Sequence, residues 1–213
     1  MIDRYRQAGL ACNPFAFDIG RPIPPVDRGL AVPSYRPATL VQVVGDQGAG
    51  KTTQVQAWRS VVAGPYHYVG PDRASRWATP PVAPVVYGDE VDRMARPVRR
   101  RWFRRLARSG STLVVGTHVD LSVIAKRAGL ATTTHVLGPV DRNTLDEVVR
   151  RRIAAASVPD FEPFQLSPSQ VSAVHAAAGG SIRQAEMLLH ELVARLVAEQ
   201  HECRATQRVG LVQ

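Results

Sequence analysis

"VVGDQGAGKTT", residues 43–53, decides how the chain folds. It follows an apolar run, TLVQVV (39–44), and leads into a stretch of helical character. Gly45, Gly48 and Gly50 leave bare backbone on which something can lie, and Lys51 sets a positive charge beside it. Glycines let consecutive N–H groups turn inward as an anion nest, and a following helix aims its positive end at the same point. The ligand implied is a chain of phosphates. Of 27 basic residues only Lys51 and Lys126 are lysines, so a lysine placed here carries weight. The alternative is a glycine-rich turn that merely caps a helix.

Gly45-x-x-x-x-Gly50-Lys51-Thr52 matches the Walker A pattern, with a strand before it and a helix after it. The candidate nucleotide-binding segment is Gly45, Asp46, Gln47, Gly48, Ala49, Gly50, Lys51, Thr52 and Thr53. Lys51 is expected to reach the β and γ oxygens of ATP, and the Thr52 hydroxyl to ligate Mg²⁺. VVYGDE (85–90) reads as a strand ending in two acids, as a Walker B does. Asp89 is the second expected Mg²⁺ contact, and Glu90 the general base that polarises the attacking water. Adjacent acids also close ordinary turns. TLVVGTHVD (112–120) supplies a third strand, whose end presents Thr117 or His118 to the γ-phosphate unless the pair simply closes a loop.

The rest of the chain frames that site. At 213 residues it has room for one domain, or one with a small appendage. No run approaches the ~20 apolar residues of a membrane span, and MIDRYRQAGL lacks the apolar stretch of a signal peptide. Cys12 and Cys203 stand alone, as inert thiols of a reducing compartment do. The location expected is cytoplasmic. A net charge of +9 favours polyanionic partners such as nucleic acid, although the preference for arginine over lysine also fits a coding bias.

Residues 1–38 read as an extended Pro/Gly-rich leader, 39–140 as an α/β core, 141–200 as a helical lid and 201–213 as a tail. Strands are expected at 39–44, 66–69, 85–88, 112–116 and 134–138. Helices are expected at 51–62, 97–108, 120–128, 142–156, 168–178 and 181–198, while 71–83 is too short and proline-rich for a full crossover helix. The fold class is therefore α/β: a P-loop NTPase with a five-stranded, mostly parallel sheet flanked by helices, then a small α-helical lid. Thr144 with Glu147, and Ser167 with Gln170, have capping-box spacing.

RMARPVRRRWFRRLARSG (93–110) holds eight arginines. Met94, Val98, Trp102 and Leu106 form a stripe for burial, with Phe103 beside it, and Arg96, Arg100, Arg104 and Arg108 line another face. That face is either a nucleic-acid contact over helix 93–108 or a solvated surface.

Taken together, GDQGAGKT, VVYGDE, LVVGTH and GGSIRQAEMLL resemble the AAA+ class of P-loop ATPases over residues 39–198, in particular its origin-recognition, helicase-loader and transposition or secretion-accessory branches. The resemblance implies an ATP- and Mg²⁺-dependent ATPase that works as a switch. It also implies that Arg183, early in the last lid helix, touches the γ-phosphate. Arg127, in AKRAGL, would then act as a finger into a neighbouring copy. Three uses remain open: a switch on nucleic acid, a nucleotide-gated module for a protein partner, and a small-molecule kinase. Self-association is compatible with each.

Overall fold

The computed structural model describes residues 4–16, 19, 23, 26, 28–159 and 161–210, with side chains to Cys203. The chain divides into two compact units, Pro25–Gly138 and a second formed by Met1–Pro24 with Pro139–Gln213.

In the first unit β1 (Thr39–Gly45) leads through the glycine-rich loop into α2 (Lys51–Val61); a four-residue turn of helix, α1 (Arg4–Gln7), precedes them in the other unit. Then come β2 (Tyr66–Tyr68), α3 (Arg73–Trp77), β3 (Val85–Asp89), a 3₁₀ turn at Val91–Arg93, α4 (Arg96–Arg108), β4 (Thr112–Thr117), α5 (Ser122–Ala128) and β5 (Ala131–Leu137). The strands form one sheet in the order β2-β3-β4-β1-β5, and every pairing is parallel. β1, flanked by β4 and β5, is buried along five of its seven residues, as a strand covered on both faces should be. Alternate residues serve opposite faces. Leu40, Val86, Leu113 and Val115 pack with Trp102, Phe103 and Leu106 of α4. Val41, Val43, Tyr87 and Val114 pack with Val55 and Trp58 of α2.

This order puts β1 beside β4, with β5 added on the other side. The chain reverses its direction of winding there, and such a switch point opens a crevice beyond the carboxyl ends of the strands. The glycine-rich loop leaves β1 at that crevice. One polar residue in β1 is wholly buried: Gln42 donates to Ser122 Oγ (2.9 Å) and Thr134 Oγ1 (2.8 Å) and accepts from the Leu121 amide (2.9 Å). It thereby ties the start of α5 to the middle of the sheet.

The second unit is helical: α6 (Arg142–Ala156), α7 (Pro168–Ala178) and α8 (Ile182–Gly210). Leu145, Val149, Val171, Val174, Leu189 and Val193 form its core, which Leu10 and Phe15 from the N-terminal segment complete. Gly180 (φ 82°) joins α7 to α8, and a Cβ there would lie 2.4 Å from that of Pro139, so no other residue fits.

Several expectations shift. The expected leader is not uniform, because α1, Leu10 and Phe15 join the helical unit whereas Leu30 and Tyr35 pack against the sheet. The capping box forms at Ser167 and Gln170, but α6 is capped by Asp141, whose carboxylate accepts from the Thr144 amide; Glu147 pairs instead with Arg150 and Arg151. β5 begins at Ala131, since its threonines suit an extended strand with one exposed face, although none is apolar enough to announce it. α8 continues past 198 because no Gly or Pro intervenes before Gly210.

Candidate functional site

Three strand ends meet at the crevice. Asp89 of β3 is in register with Gly116 of β4, and Thr117 of β4 with Val44 of β1. The loop after β1 turns through Gly48 (φ 82°) and Gly50 (φ 91°), a left-handed backbone that favours glycine. It delivers Lys51 and Thr52 as the first two residues of α2, while Asp46 and Gln47 are exposed, Ala49 is buried and Thr53 is half-buried.

Lys51 is only 5% exposed. Its Nζ donates to the carbonyls of Gly45 (2.9 Å) and Asp46 (2.8 Å) and lies 3.4 Å from His118 Nδ1. Burial lowers its pKa, while Glu90, Asp89, Asp92 and Asp46 oppose that shift. Beside it, the Thr52 hydroxyl donates to Asp89 Oδ2 at 2.6 Å. Asp89 is 1% exposed and also accepts from the Tyr66 hydroxyl at 3.0 Å. Burial raises its pKa, and the bonds from Thr52 and Tyr66 work against that rise.

Glu90 sits in the left-handed region (φ 56°). A non-glycine residue there costs of order 1 kcal/mol and persists only where its surroundings impose it. Here they do: His118 Nε2 is 3.0 Å from one carboxylate oxygen and Arg93 Nη2 is 3.3 Å from it. Thr117 and His118 separate in role. The buried Thr117 hydroxyl lies 3.1 Å from Asp92 Oδ1 and 3.0 Å from the Val119 carbonyl, so it braces the turn. His118 is the one placed between Lys51 and Glu90. Arg127 is exposed on α5, in a cleft with Arg100 and Arg104, and Arg183 is exposed on the first turn of α8 in the helical unit.

Sequence reading passed over four residues. Tyr66 and Arg93 buttress the two acids, Asp92 accepts from Thr117 and the His118 amide, and Arg28 donates through its guanidinium to the Ala49 carbonyl (2.6 Å) of the loop. Asp92 and Arg93 do adjoin Glu90 in the sequence. Nothing local marks Tyr66 or Arg28, whose partners are 23 and 21 residues away.

No protein-family profile and no curated protein sequence matches the chain. Its fold is nevertheless shared with solved structures. One variant of RuvB from Thermotoga maritima superposes with a TM-score of 0.56 at 19% identity, covering 76% of this chain and 56% of that one. A second variant of the same protein gives 0.54, also at 19% identity and with the same coverage. NtrX from Brucella abortus, in complex with ADP, gives 0.53 at 15% identity, over 77% of this chain and 48% of that one. The chain thus spans about half the length of the proteins it superposes on. Among the described residues no helix is long and apolar enough to cross a membrane. With its parallel sheet and its glycine loop at the switch point, the chain has a P-loop NTPase fold and resembles the AAA+ ATPases.

Proposed function

We propose that the chain binds ATP with Mg²⁺ and hydrolyses it, and that this reaction works as a switch on nucleic acid. The observation that carries the reading is the 2.6 Å bond from Thr52 to Asp89. It brings the first turn of α2 and the end of β3 together beside a buried lysine.

The donor set suits Mg²⁺. This hard cation takes one or two carboxylates with hydroxyl, water and phosphate oxygens and needs no cage of protein ligands. Thr52 and Asp89 offer one hydroxyl and one carboxylate on adjacent atoms. The ion would neutralise charge on the phosphate oxygens and relieve the buried carboxylate of Asp89. Lys51 Nζ, satisfied here by two loop carbonyls, exchanges those acceptors for phosphate oxygens. Glu90 takes a proton from the water that attacks the γ-phosphorus, the bond to the β–γ bridging oxygen breaks, and ADP leaves. His118 orients Glu90 through its 3.0 Å contact and senses the phosphate from the other side of its ring. The ADP in the NtrX structure supports an adenine nucleotide as ligand.

ATP turnover and calorimetry on wild type, Lys51→Ala and Glu90→Gln test the reading. Lys51→Ala should lose nucleotide binding, whereas Glu90→Gln should keep it and lose about 10²–10⁴ in turnover. Equal turnover in all three removes both residues from the mechanism. Turnover that ignores DNA and RNA at every salt concentration removes nucleic acid from the switch and favours a nucleotide-gated protein partner.

A further inference from the structure

All of the molecule's net charge belongs to one unit. Residues 25–138 contain 16 basic and 7 acidic residues, whereas the remainder contains 11 of each. Within the charged unit the excess collects on α4. Arg96, Arg100, Arg101, Arg104, Arg105 and Arg108 are exposed, and among the described residues none is paired with a carboxylate. Arg99 is different: it is 7% exposed and turns inward to the Asp92 carbonyl (2.9 Å), so it braces the turn after β3.

The packing of α5 against α4 adds a seventh exposed arginine. Gln42 and the Leu121 amide fix the start of α5, and Ala125 is buried against the sheet, which leaves Arg127 on the outer side. Arg100, Arg104 and Arg127 with Ile124 and Ala128 line a cleft of about 250 Å³. It adjoins a shallow groove of about 570 Å³ between Pro97 and the arginines at 100, 101, 104, 105 and 108. Arg100 and Arg104 belong to both, so the basic surface is continuous across two helices.

We propose that this α4–α5 surface, with Arg127 as its far wall, binds the phosphodiester backbone of duplex nucleic acid. The aromatic residues of α4 decide for a duplex. Trp102 and Phe103 are buried under the sheet, so the groove has no ring on which an unpaired base could stack. Single strands gain much of their affinity from such stacking, while a duplex keeps its base faces stacked inside and is held chiefly through its phosphates. From Arg96 to Arg108 the helix rises ~18 Å, over which one strand carries roughly five phosphates. The proposal rests on the nucleic-acid part of the function above and is independent of its hydrolytic part.

Fluorescence anisotropy with a short labelled duplex, and with one of its strands alone, tests this on the full chain without nucleotide. Neutralising about five phosphates gives a slope of log affinity on log salt of about −4 to −5, with the duplex bound more tightly than the strand. Arg100→Gln with Arg104→Gln should flatten the slope by about two units, and Arg127→Gln by about one, because each phosphate contact contributes ~0.9. Arg100→Lys with Arg104→Lys should restore it. Calorimetry with Mg·ATP on the same proteins separates the two readings: a variant that binds ATP normally but not duplex supports the groove even if no turnover is ever seen. Unchanged slopes in the glutamine variants overturn the proposal. So does tighter binding of the single strand, or an Arg127→Gln variant that loses turnover while its duplex affinity stays at the wild-type level.

Discussion

Two cationic regions of the sheet unit meet anions in opposite ways. Lys51 is a single buried ammonium held by two carbonyls and surrounded by four carboxylates. The α4 surface is a row of exposed guanidiniums with no carboxylate partner among the described residues. Burial makes the first an addressed site: its charge is desolvated, its position is fixed, and only a ligand that fills the glycine loop can replace what it holds. Exposure makes the second a field, strong in sum and indifferent to the detailed shape of its partner.

Salt breaks the comparison most directly. Raising it from roughly 50 to 200 mM should weaken duplex binding by about 10²–10³-fold at a slope of −4 to −5. The same change should weaken Mg·ATP binding by less than about tenfold, since a buried group is poorly screened. Parallel losses in the two titrations would mean that the loop and the helix bind anions in the same way.

His118→Ala comes next. It removes the ring between the phosphate lysine and the base and leaves Arg93 alone to hold Glu90, so turnover should fall about 10–100-fold, below the full general-base effect, with nucleotide affinity changing much less. If affinity falls and turnover at saturating ATP does not, His118 belongs to binding alone. A smaller effect is expected in stability. Because burial raises the Asp89 pKa above its ordinary 3.8, the folded protein holds a proton that the unfolded chain has released in the window from there up to the raised value. Stability therefore falls as pH rises through that window, and the cost persists above it. Asp89→Asn removes the charge and keeps an acceptor for Thr52 and Tyr66. It should raise the Tm of the nucleotide-free protein by about 2–4 °C, the effect of ~1 kcal/mol in a chain of this size, while abolishing Mg²⁺-dependent turnover. A lower Tm would show that the ionised carboxylate stabilises the site.

The two regions were legible to different degrees. The loop is written locally: glycine spacing, one rare lysine, a strand before and a helix after. The stripe of Met94, Trp102 and Leu106 is equally local, and all three are buried. What reaches across the fold was not written that way. Gln42 interrupts an apolar strand in order to hold α5, Tyr66 meets Asp89 only because β2 lies next to β3, and Arg127 reaches the α4 groove only because α5 packs on α4. Helical periodicity assigned a face to Arg100 and Arg104. It could not say which neighbour would share that face.

The helical unit offers the finest test, because it is nearly as rich in arginine and lacks the excess. Arg150 and Arg151 pair with Glu147, and Arg152 lies 2.5 Å from Glu186 across α6 and α8. A coding bias toward arginine acts on both units alike. Compensation in one and its absence in the other therefore point to what α4 meets. Glu147→Gln with Glu186→Gln would take the carboxylate partner from three arginines at once, while Arg152 keeps its bonds to the Pro14 and Ala16 carbonyls. Arginines three or four residues apart extend one face along a helix, and none stands at that spacing from any of these three, so they cannot build a groove along α6 as Arg100, Arg104 and Arg108 do along α4. The duplex salt slope should change by less than about one unit, and the Tm should fall by about 2–4 °C from loss of the half-buried bridge, at ~1 kcal/mol. A slope that steepened by two or three units would mean that any freed arginine binds the duplex, and the arrangement on α4 would then contribute charge and nothing more.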